Sequence, residues 1–126
     1  GITLTTDIQP EVQATFNPSL LQRAVYNLLQ NAYKYGKPGG HITVTLREAG
    51  HGAALSVADD GIGIAPEDQE KIWQRFWQAD PSRGEDGGSG LGLSMVQEIA
   101  AFHGGRAAVD SAPGQGSTFT ITLPRR

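Results

Sequence analysis

A single amphipathic helix constrains the fold of this chain more than any other part of its sequence. Between positions 18 and 35, apolar residues recur at helical spacing and form one broad face. The members of that face are Leu20, Leu21, Ala24, Val25, Leu28, Leu29 and Ala32. Asn17 is suited to cap the helix, Pro18 to its first turn and Gly36 to its end. The sequence therefore predicts a helix from Pro18 to Tyr35 that buries one face against the rest of the domain.

Three polar residues border the apolar face of this helix. At about 100° per residue, Asn27, Asn31 and Lys34 fall within a band of roughly 60° beside that face. Their side chains should therefore overhang a cleft between the helix and the element on which it packs. Taken alone, the same residues are equally well explained as half-buried amides bonded to backbone and a lysine that complements the negative helix end.

The composition excludes several classes of protein. A chain of 126 residues is long enough for one domain with a real core. Its net charge of −3, with scattered basic residues, argues against nucleic acid or an anionic membrane as a partner. No apolar run approaches the ~20 residues that span a bilayer, and there is no signal-peptide pattern. The chain contains no cysteine, which excludes disulfides and thiolate metal sites and fits a reducing compartment.

Strand-like segments outnumber helical ones along the chain. Short turns join most neighbouring strands, which favours an antiparallel or mixed sheet covered by helices on one face. We expect strands at 2–8, 11–16, 41–47, 53–58, 106–110 and 117–123, and helices at 18–35, 66–77 and 91–102. The predicted fold is an α/β two-layer sandwich. Its sheet is mixed and largely antiparallel, with about five strands plus N-terminal strand(s), and about three helices cover one face.

Glycine is concentrated in three segments where backbone N–H groups could approach a ligand. These segments are 59–64, 87–93 and 114–118. The second opens a predicted helix, whose N-terminus is a natural site for phosphate. A dinucleotide fingerprint would need glycine in place of Leu93, and a P-loop would need Gly-Lys-Ser/Thr, so neither is present. A plain turn remains an alternative for each glycine segment.

Asp59 ends a predicted strand where the chain enters glycine-rich backbone. Its carboxylate should therefore point toward a cleft and could accept a hydrogen bond from an exocyclic amine. The alternative is an Asx-type turn cap with no ligand.

The order of these motifs closely resembles the catalytic, ATP-binding domain of bacterial sensor histidine kinases, with its N, G1, F, G2 and G3 boxes. The matching residues are Asn27-x3-Asn31-Ala-x-Lys34-Tyr35, Asp59-x-Gly61-x-Gly63-Ile64, Phe76, Gly88-x-Gly90-Leu-Gly92-Leu93 and Gly114-x-Gly116-Ser-Thr118. The resemblance covers nearly the whole chain and implies one catalytic domain, 1–126, of a longer protein. It also implies a Bergerat-type fold, shared with DNA gyrase, heat-shock chaperone and mismatch-repair ATPases.

The resemblance implies a role for each matching residue. Asp59 would bind the adenine amino group, with Gly63 and Thr118 supporting the base, and Asn31 would ligate Mg²⁺. A lid over about 79–89 would cover the triphosphate. The implied ATP-binding residues are Asn31, Lys34, Tyr35, Asp59, Gly61, Gly63, Ile64, Phe76, Gly88, Gly90, Leu91, Gly92, Leu93 and Thr118. The implied catalytic residues are Asn31, Lys34 and Asn27.

Departures from the family pattern refine this expectation. Hydrolytic relatives carry a glutamate where this chain has Asn27, a poor general base, so transfer is favoured over hydrolysis. Gln78 stands where the kinases often have a basic residue, and Lys71, Arg75 or Arg83 could supply that charge instead.

The phospho-acceptor histidine is also missing. The histidines of this chain, His41, His51 and His103, lack both metal-ligand spacing and the acceptor context of the family. The resemblance thus implies a cytoplasmic, monomeric domain that phosphorylates a histidine on a separate dimerisation domain and, through it, a response regulator. An ATP-binding module without transfer activity and a same-fold ATPase or serine kinase are the alternatives.

Overall fold

A five-stranded sheet forms one layer of the domain in the computed structural model, which describes residues 2–8, 17–37, 39–49, 52–74 and 92–124. The strands are β1 (Thr3–Ile8), β2 (His41–Ala49), β3 (Gly52–Asp59), β4 (Arg106–Ala112) and β5 (Gly116–Pro124). Their order is β1-β2-β3-β5-β4, with β1 parallel to β2 and every other pair antiparallel. The predicted mixed, largely antiparallel sheet is confirmed, and the N-terminal strand is one of its five.

The register of the central strands places one set of side chains on a common face. Val44 is paired with Val57, and Val57 with Phe119 on its other side. Side chains alternate between the two faces of a strand, so every second residue of β2, β3 and β5 points the same way. All three residues are buried, which identifies this face as the side that carries the core.

Two α-helices cover that face: α1 (Pro18–Tyr35) and α2 (Gly92–Phe102). The predicted cap of α1 is confirmed, because the Leu20 N–H donates to the Asn17 side chain at 3.1 Å. Gly36 ends α1 in extended backbone, and a Cβ there would lie 2.7 Å from the Ala32 carbonyl oxygen. Close contact with the preceding turn thus explains the glycine at this position.

The helix expected at 66–77 is wrong over the residues that the structure describes. Two short 3-10 turns, Pro66–Asp68 and Lys71–Trp73, replace it, and Gln74 is already extended. Within 66–74 the segment buries only Ile72 fully, with Trp73 edge-on to Phe119 at 5.9 Å between ring centroids. No side chain of 66–71 is fully buried, so the first half of the segment has no apolar stripe to hold a helix on the core.

The core lies between the helices and the sheet and unites both layers. The fully buried large side chains are Leu28, Ile42, Val57, Ile72, Val96 and Ile121. His103 joins the two helices, because its Nε2 accepts the Asn17 N–H at 2.8 Å while its Nδ1 is bonded to the Ile99 carbonyl at 2.7 Å. Over the described residues, no helix has both the length and the apolar character needed to cross a membrane. The strand expected at 11–16 lies outside the described residues.

Candidate functional site

A cavity lies where the C-terminal half of α1 faces the ends of β3 and β5 and the start of α2. It is lined by Asn31, Tyr35, Asp59, Ile62, Gly63, Ile64, Leu93 and Ser117. All of these except Ile62 and Ser117 were predicted from the sequence as site residues. The cavity volume is only about 20 Å³, which is enough for one water molecule. A larger ligand therefore requires the cavity to widen.

Among the described residues that line this cavity, only Asp59 contributes a carboxylate. Its Oδ1 accepts the Gly61 N–H at 2.9 Å, so the Asx-type turn considered as the alternative is present. The same carboxylate still lines the cavity, and the turn and the ligand-binding interpretations are therefore compatible. Burial raises the pKa of Asp59 above its ordinary value, against main-chain hydrogen bonds from Gly61 and Ser117 that lower it. A partly desolvated acceptor of this kind favours a ligand that donates a hydrogen bond.

The glycines after Asp59 allow the loop to pack directly on main chain from two other elements. A Cβ on Gly61 would lie 2.1 Å from the Tyr35 carbonyl oxygen, and one on Gly63 would lie 2.0 Å from that of Ala112. Gly63 also has a φ of 74°, which side-chain-bearing residues rarely adopt. The Ile62 N–H donates to the Tyr35 carbonyl at 3.2 Å, and the Ile62 carbonyl accepts the Gly114 N–H at 2.8 Å. Three distant segments are thus joined by backbone at the rear of the cavity.

The polar edge of α1 faces the start of α2, as its spacing predicted. The Asn27 amide donates to the Gly92 carbonyl at 3.5 Å, a long and therefore weak bond. One turn later Asn31 lines the cavity, as does Leu93 of α2. The Lys34 Nζ lies over the Tyr35 ring, 5.3 Å from its centroid. An amide and the positive end of the α2 dipole therefore lie at one side of the site, with an ammonium group over the adjoining Tyr35 ring.

Ser117, which the sequence analysis did not select, lines the cavity in place of Thr118. Ser117 is directly paired with Asp59, whereas Thr118 is paired with Ala58. Because side chains alternate along a strand, Ser117 shares the face of buried Phe119, and Thr118 lies on the opposite face of the sheet. The aromatic Phe119, two places further on in the same predicted strand, was the signal that could have identified Ser117. The structure does not bring Thr118 into this cavity.

Behind the cavity, Ser111 and Gln69 form a hydrogen-bond network that no sequence motif indicated. Ser111 Oγ lies 2.8 Å from the Ile64 N, the Gly116 carbonyl oxygen and the Ser117 Oγ. Gln69 Nε2 donates to the carbonyl oxygens of Ile64 at 3.0 Å and Ser111 at 2.8 Å. Two of these contacts, from Ile64 and Gln69 to Ser111, join residues more than 40 positions apart, so local patterns could not reveal the network.

The other predicted site residues lie outside the cavity lining or outside the described residues. Gly61 supports the Asp59 turn, and Gly92 begins α2. Phe76, Gly88, Gly90, Leu91 and the expected lid at 79–89 lie outside the described residues.

The residues at the cavity are suited to a Mg²⁺ ion that is bound jointly by protein and ligand oxygens. They are less suited to an ion that protein side chains alone would hold. Within the described residues, no three His, Asp or Glu side chains lie close enough to hold a metal ion together. Mg²⁺ commonly keeps its waters and is bound through one or two protein oxygens plus phosphate oxygens. One amide oxygen on Asn31 beside the cavity is consistent with that pattern.

The chain belongs to the family of histidine kinase-, DNA gyrase B- and HSP90-like ATPases, whose pattern matches residues 16–126. Its relatives within that family include sensor histidine kinases. The solved mycobacterial sensor histidine kinase MprB is 36% identical to this chain and superposes on it with a TM-score of 0.83. The match covers 98% of this chain and 81% of the MprB chain. The Bergerat-type fold expected from the sequence is confirmed.

Full-length sensor kinases show how much of such a protein this chain represents. SenX3, a sensor-like histidine kinase of Mycobacterium tuberculosis H37Rv, is 43% identical over 98% of this chain but only 30% of its own length. Full-length ShkA, solved in complex with AMPPNP, is 29% identical with a TM-score of 0.85, over 98% of this chain and 26% of that protein. The chain thus spans at most about a third of the length of the curated relatives that it matches.

Proposed function

We propose that this domain binds Mg-ATP and transfers the γ-phosphoryl group to a histidine on a separate dimerisation domain. The observation that supports it most is the convergence of Asn31, Asp59 and Leu93 on one cavity at the start of α2. These residues come from three separate motifs, and each has a chemistry that one part of the nucleotide requires. Membership of an ATPase family and likeness to sensor histidine kinases support the same conclusion.

In this proposal the base binds at the rear of the cavity. Asp59 accepts a hydrogen bond from the 6-amino group of adenine, while Gly63 and Ile64 form the wall against the ring. Gly61 holds the Asp59 carboxylate in place through its N–H. Ser117 contributes the second polar side chain of this wall, a role that the alternation of β5 favours over Thr118.

The phosphates would lie toward α2 and the polar edge of α1. Asn31 would bind Mg²⁺ with the phosphate oxygens, and the ion, when bound, would neutralise part of their charge. Lys34 and Tyr35 would contact the phosphates from α1. The N-terminus of α2, from Gly92, would direct the positive end of the helix dipole toward the same anion. Phe76 keeps its sequence-based assignment as an ATP-binding residue, the segment 79–89 as the lid, and the glycine segment 87–93 as the phosphate loop.

Transfer requires a nucleophile from outside this chain. A ring nitrogen of the acceptor histidine would form a bond to the γ-phosphorus as the bond from that phosphorus to the bridging β–γ oxygen breaks, releasing ADP. Positioning and charge stabilisation supply most of the catalysis in such reactions. Asn27 cannot take a proton from water at neutral pH, and its amide is directed at the Gly92 carbonyl. This arrangement favours transfer to histidine over hydrolysis.

Titration of the domain with ATP, with and without Mg²⁺, tests the binding step. We expect saturable binding that Mg²⁺ strengthens, and no binding in either condition would refute the proposal. Incubation of the ATP-loaded domain with a histidine-bearing helical hairpin from a sensor kinase tests transfer. Binding without transfer would leave an ATP-binding module, and sustained release of phosphate by the domain alone would indicate an ATPase of the same fold.

The same proposal includes the partners and the location of this domain in the whole protein. The dimerisation domain that carries the acceptor histidine would pass the phosphoryl group to a response regulator. The catalytic domain, about 1–126, would operate as a monomeric unit in the cytoplasm, tethered to that dimerisation domain.

A further inference from the structure

The hydroxyl of Ser111 lies at the centre of the network behind the cavity, and its hydrogen bonds have only one complete arrangement. A serine hydroxyl donates one proton and accepts through two lone pairs. The Gly116 carbonyl can only accept, and the Ile64 N–H can only donate. Ser111 must therefore give its proton to Gly116 and receive that of Ile64. The third partner, the Ser117 hydroxyl, must then donate to Ser111.

This arrangement decides which way the Ser117 proton points. Ser117 is 7% exposed and lines the cavity beside Asp59. With its proton directed back to Ser111, its oxygen can offer the cavity only lone pairs. The ionised carboxylate of Asp59 also only accepts. The polar wall of the cavity formed by these two side chains then consists of acceptors alone.

We infer that Ser111 is a positioning residue that sets base selectivity by holding the Ser117 hydroxyl as an acceptor. An exocyclic amino group has two in-plane protons to offer such a wall, whereas a keto oxygen in the same place would face lone pairs. The nucleotide class selected is therefore the 6-aminopurines over the 6-oxopurines. The inference rests on the proposed function, because it assumes that the base enters this cavity.

Gln69 offers a matched control for a purely structural role. It donates to main-chain oxygens of Ile64 and Ser111, which are residues of the same network, but it does not touch either serine hydroxyl. Gln69→Ala should loosen the same part of the fold while the proton of Ser117 keeps its direction.

The test compares the affinities of ADP and inosine 5′-diphosphate in the wild type and in the variants Ser111→Ala, Ser117→Ala and Gln69→Ala, with the fold monitored by circular dichroism. In Ser111→Ala the Ser117 hydroxyl becomes free to rotate and donate to a keto oxygen. We expect the preference for ADP over inosine diphosphate to fall about fivefold, the factor of one neutral hydrogen bond. In Gln69→Ala both affinities should fall together, with their ratio unchanged. Ser117→Ala should also reduce the ratio, and no further loss should appear when Ser111→Ala is added to it.

The outcomes separate this inference from the proposed function. Wild-type protein that binds neither nucleotide refutes both. Wild-type protein that prefers ADP, together with a folded Ser111→Ala variant of unchanged ratio, refutes the role of Ser111 alone. If Ser111→Ala does not fold, the Ser117→Ala variant decides the matter, because an unchanged ratio in that protein also refutes the inference.

Discussion

Replacing Asp59 with asparagine removes one charge from the cavity and alters almost nothing in its shape. The Oδ1 of asparagine can keep the bond that Asp59 accepts from the Gly61 N–H, so the turn should survive. The second oxygen becomes an NH₂ group, which would face the 6-amino group of the base and the Ser117 N–H, two donors. The substitution therefore replaces a favourable hydrogen bond to the 6-amino group with two N–H donors that face each other.

The size of the effect follows from the kind of bond that is lost. A hydrogen bond to a charged group is worth about 1.5–3 kcal/mol, which corresponds to roughly 10- to 150-fold in the dissociation constant. We expect calorimetric titration of Asp59→Asn with ADP to show a loss in that range or above it. Asp60→Asn is the control, since Asp60 follows directly in sequence but bonds to the His41 N–H, outside the cavity. Equal losses in the two variants, or none in Asp59→Asn, would refute the assignment of Asp59 to the base.

The same substitution has a second consequence, for stability without nucleotide. Burial raises the folded-state pKa of Asp59 above its ordinary value. The folded state therefore binds this proton more tightly than the unfolded chain does, and the resulting stability is lost as pH rises through the folded pKa. The free energy of unfolding of Asp59→Asn, relative to wild type, should accordingly increase as pH rises through that window. A relative stability that falls with pH would show that the main-chain hydrogen bonds, and not desolvation, dominate at this carboxyl.

Three further outcomes are expected. Asn31→Ala should abolish Mg²⁺-dependent phosphorylation of the acceptor hairpin while some nucleotide binding remains, and equal losses of both would contradict a role at the metal. Gly63→Ala should destabilise the fold by about 2–4 kcal/mol in urea denaturation, since its new Cβ would lie 2.0 Å from the Ala112 carbonyl. Gly114→Ala, with a similar φ of 76° and no atom within 4 Å of the new Cβ, should lose only about 1–2 kcal/mol. His103→Leu should lower the thermal midpoint through about 0.5–1.5 kcal/mol of lost hydrogen bonding, because the Asn17 N–H loses its acceptor.

The sequence predicted those helices and strands whose formation depends on residues close together in the chain. The length of α1 followed from its apolar stripe and its cap at Asn17, and both hairpins followed from their alternating strands. The segment at 66–77 was misjudged because acidic residues after a proline favour the start of a helix, whereas its residues 66–71 bring no buried apolar side chain to hold one on the core. Only tertiary packing decides between those two outcomes.

The residues of the site divide in the same way between those that a local motif reveals and those that only tertiary packing reveals. Asn31 and Asp59 were identifiable because each belongs to a short motif with its own chemistry. Thr118 was preferred to Ser117 because a motif does not state which face of a strand it presents, and the pairing of Ser117 with Asp59 supplies that information. Ser111 and Gln69 were missed altogether, because their bonds join segments that are more than 40 residues apart.

The backbone junction at Ile62 determines the direction in which the cavity can grow. Its N–H is bonded to Tyr35 and its carbonyl to the Gly114 N–H, and glycines allow these segments to meet without side chains between them. Such a wall has no rotamers to change, and moving it would break several main-chain bonds together. A wider cavity must therefore open on its opposite side, where Leu93 lies on the first turn of α2. If a base binds there as proposed, it would press on the same helix start that would face the phosphates.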